Sequence, residues 1–173
     1  MERLLLLDKH DYEDDMPEIV RVAVRGIIFT DGGLLLIEDR YGEVKLPGGG
    51  QESGEDDLHT LMREVREETG YSVIAESVRP FGYIEEKRRS HNEKMIWRQI
   101  SRIYFCSVGT ERAADDLTEN EQSLGMHCRT YTIDEAAEKN RTMLDIKGEQ
   151  AWNRREYETL LLIRDYMNKT ERK

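Results

Sequence analysis

Cysteine is scarce in this 173-residue chain, with Cys106 and Cys128 alone, and so is proline, with three. The first shortage excludes a disulfide-stapled scaffold, and the second excludes a proline-rich linker. The two cysteines stand too far apart for a metal knuckle, and each lies in an apolar, strand-like run, so both read as buried free thiols. Long hydrophobic runs are missing too. The opening "MERLLLLDKHDYEDD" is apolar only from Leu4 to Leu7 and closes at once with charges. It fits neither a signal peptide nor a membrane span, and the expected location is cytoplasmic. Positive charge is in deficit: 26 Lys and Arg face 36 Asp and Glu, for a net charge of -10. Holding a phosphate polymer or an anionic membrane needs clustered cations, so neither a nucleic-acid polymer nor a membrane is expected as a partner, although a local basic site stays compatible.

What remains is a chain long enough to bury a core, read as one domain over residues 1–173. "VRVAVRGIIF" (Val20 to Phe29) alternates and is rich in β-branched residues, and the turn signal Asp31-Gly32-Gly33 before "LLLIEDRY" predicts a hairpin. Further strand-like runs are Tyr71 to Val78, Gly82 to Lys87, Ile96 to Val108 and His127 to Ile133. The polar stretch "GTERAADDLTENEQSLG" reads as a long loop with a helical turn. A short helix is expected near Asp134, and a C-terminal helix over residues 151–168, where Leu160, Ile163 and Met167 make an apolar stripe. Residues 1–18 precede the expected core as an extension, an edge strand or the contact of a homodimer. Strands mixed with few helices favour an α/β (α+β) sandwich over a regular βαβ repeat.

The segment "LPGGGQESGEDDLHTLMREVREETGY" (Leu46 to Tyr71) is the densest part of the chain. Gly48, Gly49 and Gly50 allow a sharp bend or a close approach of the backbone. Ser53 is a fair N-cap, Glu55, Asp56 and Asp57 suit a helix start, and Gly70 is a natural stop, so a helix is expected from Gly54 to Thr69. Its buried face should carry Leu58, Leu61, Met62, Val65 and Thr69, with Glu64, Glu67 and Glu68 on the far flank. Like charges at three- and four-residue spacing repel by a few tenths of a kcal/mol per pair, roughly. Either salt bridges to Arg63 and Arg66 offset that, or a divalent cation does.

The spacing G-x5-E-x7-R-E-U-x-E-E-x-G-U is met by Gly49, Glu55, Arg63, Glu64, Val65, Glu67, Glu68 and Gly70. The segment therefore resembles the Nudix box, the signature of the Nudix (MutT-like) hydrolase family, with one departure: Tyr71 stands where an aliphatic residue is usual. The resemblance implies an α/β/α sandwich with a mixed β-sheet. It implies a hydrolase that uses Mg²⁺ or Mn²⁺ to cleave the pyrophosphate linkage of a nucleoside diphosphate joined to another moiety, a small nucleotide-type substrate. It makes Glu64, Glu67 and Glu68 metal ligands with the Gly48 carbonyl beside them, Arg63 the partner that orients the carboxylates, and Glu55, Gly49 and Gly70 structural members. A general base is also needed, from the box or from Glu119 or Glu121. The alternative on the same fold is a module that senses a nucleotide metabolite or binds a protein without turnover.

Outside the box, "EEKRRSHNEKMIWRQ" reverses the acidity locally. Its arginines could clamp phosphates and Trp97 could stack on a base, or the segment is a solvated hairpin tip. Arg98 is the expected phosphate contact there, and Arg40, before the Gly-rich loop, is another. His10, His59, His91 and His127 show no metal-ligand spacing among themselves.

Overall fold

A computed structural model describes residues 1–90, 94–148 and 151–171. Its strands are β1 (Arg3–Asp8), β2 (Glu18–Ile27), β3 (Phe29–Thr30), β4 (Gly33–Glu38), β5 (Val44–Lys45), β6 (Gly48–Gly50), β7 (Tyr71–Val73), β8 (Arg79–Arg89), β9 (Ile96–Phe105), β10 (Val108–Arg112) and β11 (His127–Tyr131). The helices are α1 (Asp57–Thr69), α2 (Glu119–Ser123), α3 (Ile133–Lys147) and α4 (Ala151–Glu171).

The principal sheet runs β1-β8-β9-β2-β6 and is mixed: β1 with β8 and β9 with β2 are parallel, whereas β8 with β9 and β2 with β6 are antiparallel. The N-terminal segment thus supplies an edge strand. The expected hairpin forms with Thr30 opposite Gly33, and β4 also pairs with β5 and β11. Two apolar clusters flank the strands. Ile27, Leu34, Leu36, Ile84 and Ile103 pack with Ala136 of α3 and with Leu160 and Ile163 of α4. Val24, Ile28 and Leu35 pack with Leu61 and Val65 of α1. Alternation along β4 sends Leu34 and Leu36 to one cluster and Leu35 to the other, which is why helices can cover both sides.

Several local expectations need correction. The central helix starts at Asp57, not Gly54, because Asp56 rather than Ser53 caps it, accepting the His59 N–H. Its end is as expected, with Gly70 left-handed at φ 74°. The run from Tyr71 to Val78 is a strand only to Val73 and then a 3₁₀ turn over Ala75–Ser77. Ile96 to Val108 divides into β9 and the start of β10, and the helix near Asp134 is longer than expected. Cys106 is buried and free, but Cys128 is only half-buried. His91 lies outside the described residues. No described helix is long and apolar enough to cross a membrane.

Candidate active site

The Gly-rich strand β6 pairs with the middle of β2, with Val24 opposite Gly49 and Arg25 opposite Gly48. The approach is too close for side chains. A Cβ on Gly48, whose φ is 135°, would lie 2.8 Å from Arg25 Cα, and one on Gly49 would lie 2.5 Å from Glu64 Cδ. Glycine at these two positions lets the backbone lie between β2 and the acidic flank of α1.

That flank is organised by Arg63. Its Nε and Nη2 bind the two Glu55 carboxylate oxygens at 2.7 and 2.9 Å, a bidentate fork. Nη1 donates to Glu64 at 2.8 Å and to Glu67 at 3.2 Å, and Nη2 also reaches the Gly50 carbonyl at 3.1 Å. One guanidinium therefore ties the helix start, two box carboxylates and the loop together. Hydrogen bonding from Arg63 lowers the Glu55 carboxyl to about 2. Burial raises the Glu64 carboxyl, with Arg63 opposing.

Glu68 behaves differently from its neighbours. It is 1% exposed, on the buried side of α1 rather than the far flank, and Thr60 is buried with it, whereas Leu58 and Met62 are exposed. Two neighbours rather than one explain the rotated face: α1 packs on β2 and also on the Gly-rich strand β6 at the edge of the sheet. Glu68 accepts from Lys45 Nζ and from the Gly48 N–H, both at 2.7 Å. Burial moves this carboxyl upward, and Lys45 and the Gly48 amide only partly restore it. Gly48 is held from the other side as well: Arg25 Nη1 donates to its carbonyl at 3.1 Å and to that of Leu46 at 3.0 Å.

Behind the loop lies a buried ionic network from α4. Glu156 accepts the Leu46 N–H at 3.2 Å and stands 3.6 Å from Arg25 Nε, an atom with no hydrogen-bond partner among the described residues. Arg155 donates to Glu156 at 2.8 Å and also bonds Glu86. Burial alone would raise the Glu156 carboxyl, but Arg25 and Arg155 outweigh it and hold it down. Removing one member of such a network leaves a bare buried charge, which costs about 3–5 kcal/mol.

Arg25, Lys45 and Arg155 line a cleft of about 990 Å³. Gly48, Gly49, Arg63, Glu64, Glu67 and Glu68, all expected from the sequence, come together along it. Glu121 also lines it, although its carboxylate is engaged by the Thr118 N–H and hydroxyl in a capping box. Of the residues expected as substrate contacts or alternative bases, three do not line it. Glu119 is on the exposed start of α2. Arg40 lies against Gly125, while its neighbours Asp39 and Tyr41 face the cleft. Arg98 pairs with Glu85 at 2.8 Å and Glu18 at 3.4 Å, since strand alternation gives the cleft to Gln99 instead. Trp97 lies under the Arg88 guanidinium, also away from the cleft. None of Arg88, Arg89 and Arg98 of the basic segment lines the cleft.

Sequence reasoning missed Arg21, Lys45, Asp116, Trp152 and Arg155, which do line the cleft. Arg21 is brought to the cleft by the pairing of β2 with the Gly-rich edge strand and with β9, which no local spacing signals. Its Nη1 donates to Gln99 at 3.1 Å, and among the described residues it forms no ion pair with a carboxylate. Burial depresses the Arg21 guanidinium, as do Arg25 and Arg155 beside it. An anion there would relieve that repulsion.

Oxygen is the only donor type the acidic wall offers, which fits a hard cation such as Mg²⁺ or Mn²⁺. Among the described residues no three acidic, imidazole or thiol groups converge on one point, and the box carboxylates pair with Arg63 and Lys45. The donor chemistry and the glycine cradle around Glu64 suit the ion that the motif implies.

The NUDIX domain model matches residues 20–148. The nucleoside triphosphatase NudI of Escherichia fergusonii is 33% identical over 110 residues, which cover 59% of this chain and 76% of that protein. YjhB of Bacillus subtilis, named provisionally as an ADP-ribose pyrophosphatase, is 32% identical over 72 residues, 41% of this chain. That match spans only 34% of the Bacillus protein. A NUDIX hydrolase structure from Nitrosomonas europaea aligns with a TM-score of 0.60 at 20% identity, covering 87% of this chain and 90% of that one, a likeness of fold alone.

Proposed function

Because this chain belongs to the NUDIX domain family, we propose that it is a divalent-metal-dependent hydrolase of the pyrophosphate linkage in a nucleoside diphosphate joined to another moiety. The observation that carries the reading is the pairing of Arg63 with Glu64 and Glu67 beside the Gly48–Gly50 strand along one wall of the cleft, with Glu55 gripping Arg63 from behind. The relatives named as a nucleoside triphosphatase and, provisionally, an ADP-ribose pyrophosphatase support the same substrate class.

Glu64, Glu67 and Glu68, with the Gly48 carbonyl, would hold Mg²⁺ or Mn²⁺. When bound, the ion supplies positive charge against the diphosphate and a more acidic water. The chain's own residues do the rest. Arg63 fixes the carboxylates relative to the loop, and Arg21, whose Nη1 is bonded to Gln99, meets a phosphate oxygen. Water oxygen bonds to phosphorus, the bridging P–O bond breaks, and the water's proton passes to a cleft carboxylate, a box glutamate or Glu121. Residues 1–173 act as one domain, and the substrate class agrees with a cytoplasmic location.

The test is a panel of ADP-ribose, nucleoside triphosphates, dinucleoside polyphosphates and nucleotide sugars with Mg²⁺ or Mn²⁺. At least one should release a nucleotide product, and Glu67→Gln should cut its turnover by about a hundredfold or more while leaving thermal unfolding nearly unchanged. No turnover of any panel member with either metal would refute the proposal.

A further inference from the structure

Most aromatic side chains in this protein are already engaged. Phe81, Phe105 and Tyr166 pack on one another, Tyr104 bonds Asp57, Tyr131 bonds Glu38, and Tyr71 lies under Arg112. Among the described residues, the two aromatics that line the cleft are Tyr41 and Trp152, and they are 56% and 37% exposed. They come from distant parts of the chain, the β4–β5 turn and the first turn of α4.

Tyr41 is presented by a rigid device. Asp39 Oδ1 accepts the Tyr41 N–H at 2.9 Å and the Glu43 N–H at 3.0 Å, which closes the turn. Lys147 Nζ lies 4.2 Å from the Tyr41 ring centroid and 2.6 Å from Glu43, so a fixed cation covers one face of the ring. The ring's high exposure leaves the other face open. Flat, apolar faces at the rim of a charged cleft suit a ligand with a planar aromatic group at one end and phosphates at the other.

We infer that Tyr41 and Trp152 form a subsite for the substrate's nucleobase, with the phosphates directed toward Arg21 and the Gly48–Gly50 strand. This rests on the reading of the cleft as a nucleotide-type substrate site and adds to it which end of the ligand lies where. Trp152 stands on the C-terminal helix beyond residues 20–148, the stretch the family match covers, whereas Tyr41 lies within it. Stacking by face rather than by edge tolerates any base, so the subsite selects for the presence of a base and weakly for its identity.

The chain has two tryptophans, so Trp97→Phe leaves Trp152 as the sole indole reporter. In that full-length variant, without added metal, adenosine monophosphate should quench the fluorescence saturably, and ribose 5-phosphate at the same concentration should not. On the substrate identified by the panel, Trp152→Ala should raise KM by about tenfold or more with kcat within about threefold, and Trp152→Phe should restore most of the loss. Equal quenching by both ligands, or none by either, overturns the subsite, as does an unchanged KM in Trp152→Ala. If Glu67→Gln abolishes turnover while Trp152→Ala changes nothing, the hydrolase stands and the subsite falls. If no panel member turns over but adenosine monophosphate still quenches selectively, the subsite stands and the hydrolase falls.

Discussion

Arg63 is where the acidic wall either holds or fails. Five hydrogen bonds from one guanidinium join Glu55, Glu64, Glu67 and Gly50. Arg63, by binding the charged form, holds the Glu55 carboxyl down at about 2 against an ordinary 4.5. A lowered folded value means that this contribution to stability is complete above pH 4.5 and is lost as the pH falls toward 2. Wild-type protein should therefore lose stability across that window more steeply than Glu55→Gln, as read from urea unfolding at a series of pH values. Parallel pH profiles would contradict the assignment. Gly49 makes a second test, because a methyl group there meets the Glu64 carboxylate. Gly49→Ala should cost about a hundredfold in kcat by displacing that carboxylate, and circular dichroism should stay that of the wild type.

Among the elements, α1 shows both the reach and the limit of periodicity. The spacing of Leu61, Val65 and Thr69 placed the helix and its inner face, and Gly70 placed its end. Periodicity alone assumes a single packing surface, so it put Leu58 and Met62 inside and Glu68 outside. The Gly-rich strand is a second surface, and it takes Glu68 in through Lys45 and the Gly48 amide. The difference is measurable by chemical denaturation. Leu61→Ala, at a fully buried position, should cost about 2–5 kcal/mol, and Met62→Ala, at a 37% exposed one, about 0.5 kcal/mol or less. Comparable losses would restore the simpler face. In α4 the stripe of Leu160 and Ile163 was legible, but its ionic residues were not: nothing in the spacing of Arg155 and Glu156 announces that they meet Glu86 and the Leu46 amide from a distant part of the chain.

For the molecule as a whole, the sequence revealed local order better than long-range company. Strands, the hairpin at Thr30 to Gly33 and the glycine box could be read because each depends on neighbours a few residues apart. The cleft depends on pairing across the chain: β2 lies beside β9 as well as β6, which brings Arg21 next to Gln99 and within reach of the loop. Arg98, one residue away, points to the other face and spends its charge on Glu85 and Glu18. A strand's two-residue alternation is certain, but which parity faces the ligand is fixed only when its partners are known.

Manganese binding measures the central claim without relying on any choice of substrate. Electron paramagnetic resonance of Mn²⁺ titrated into the wild-type protein and into the Glu64→Gln/Glu67→Gln double variant reports free ion directly. Saturable binding by the wild type that weakens by about tenfold or more in the variant is the expected result. Identical titration curves for the two proteins would mean that these carboxylates answer only to Arg63, and that the wall is a salt-bridged surface rather than a seat for a cation.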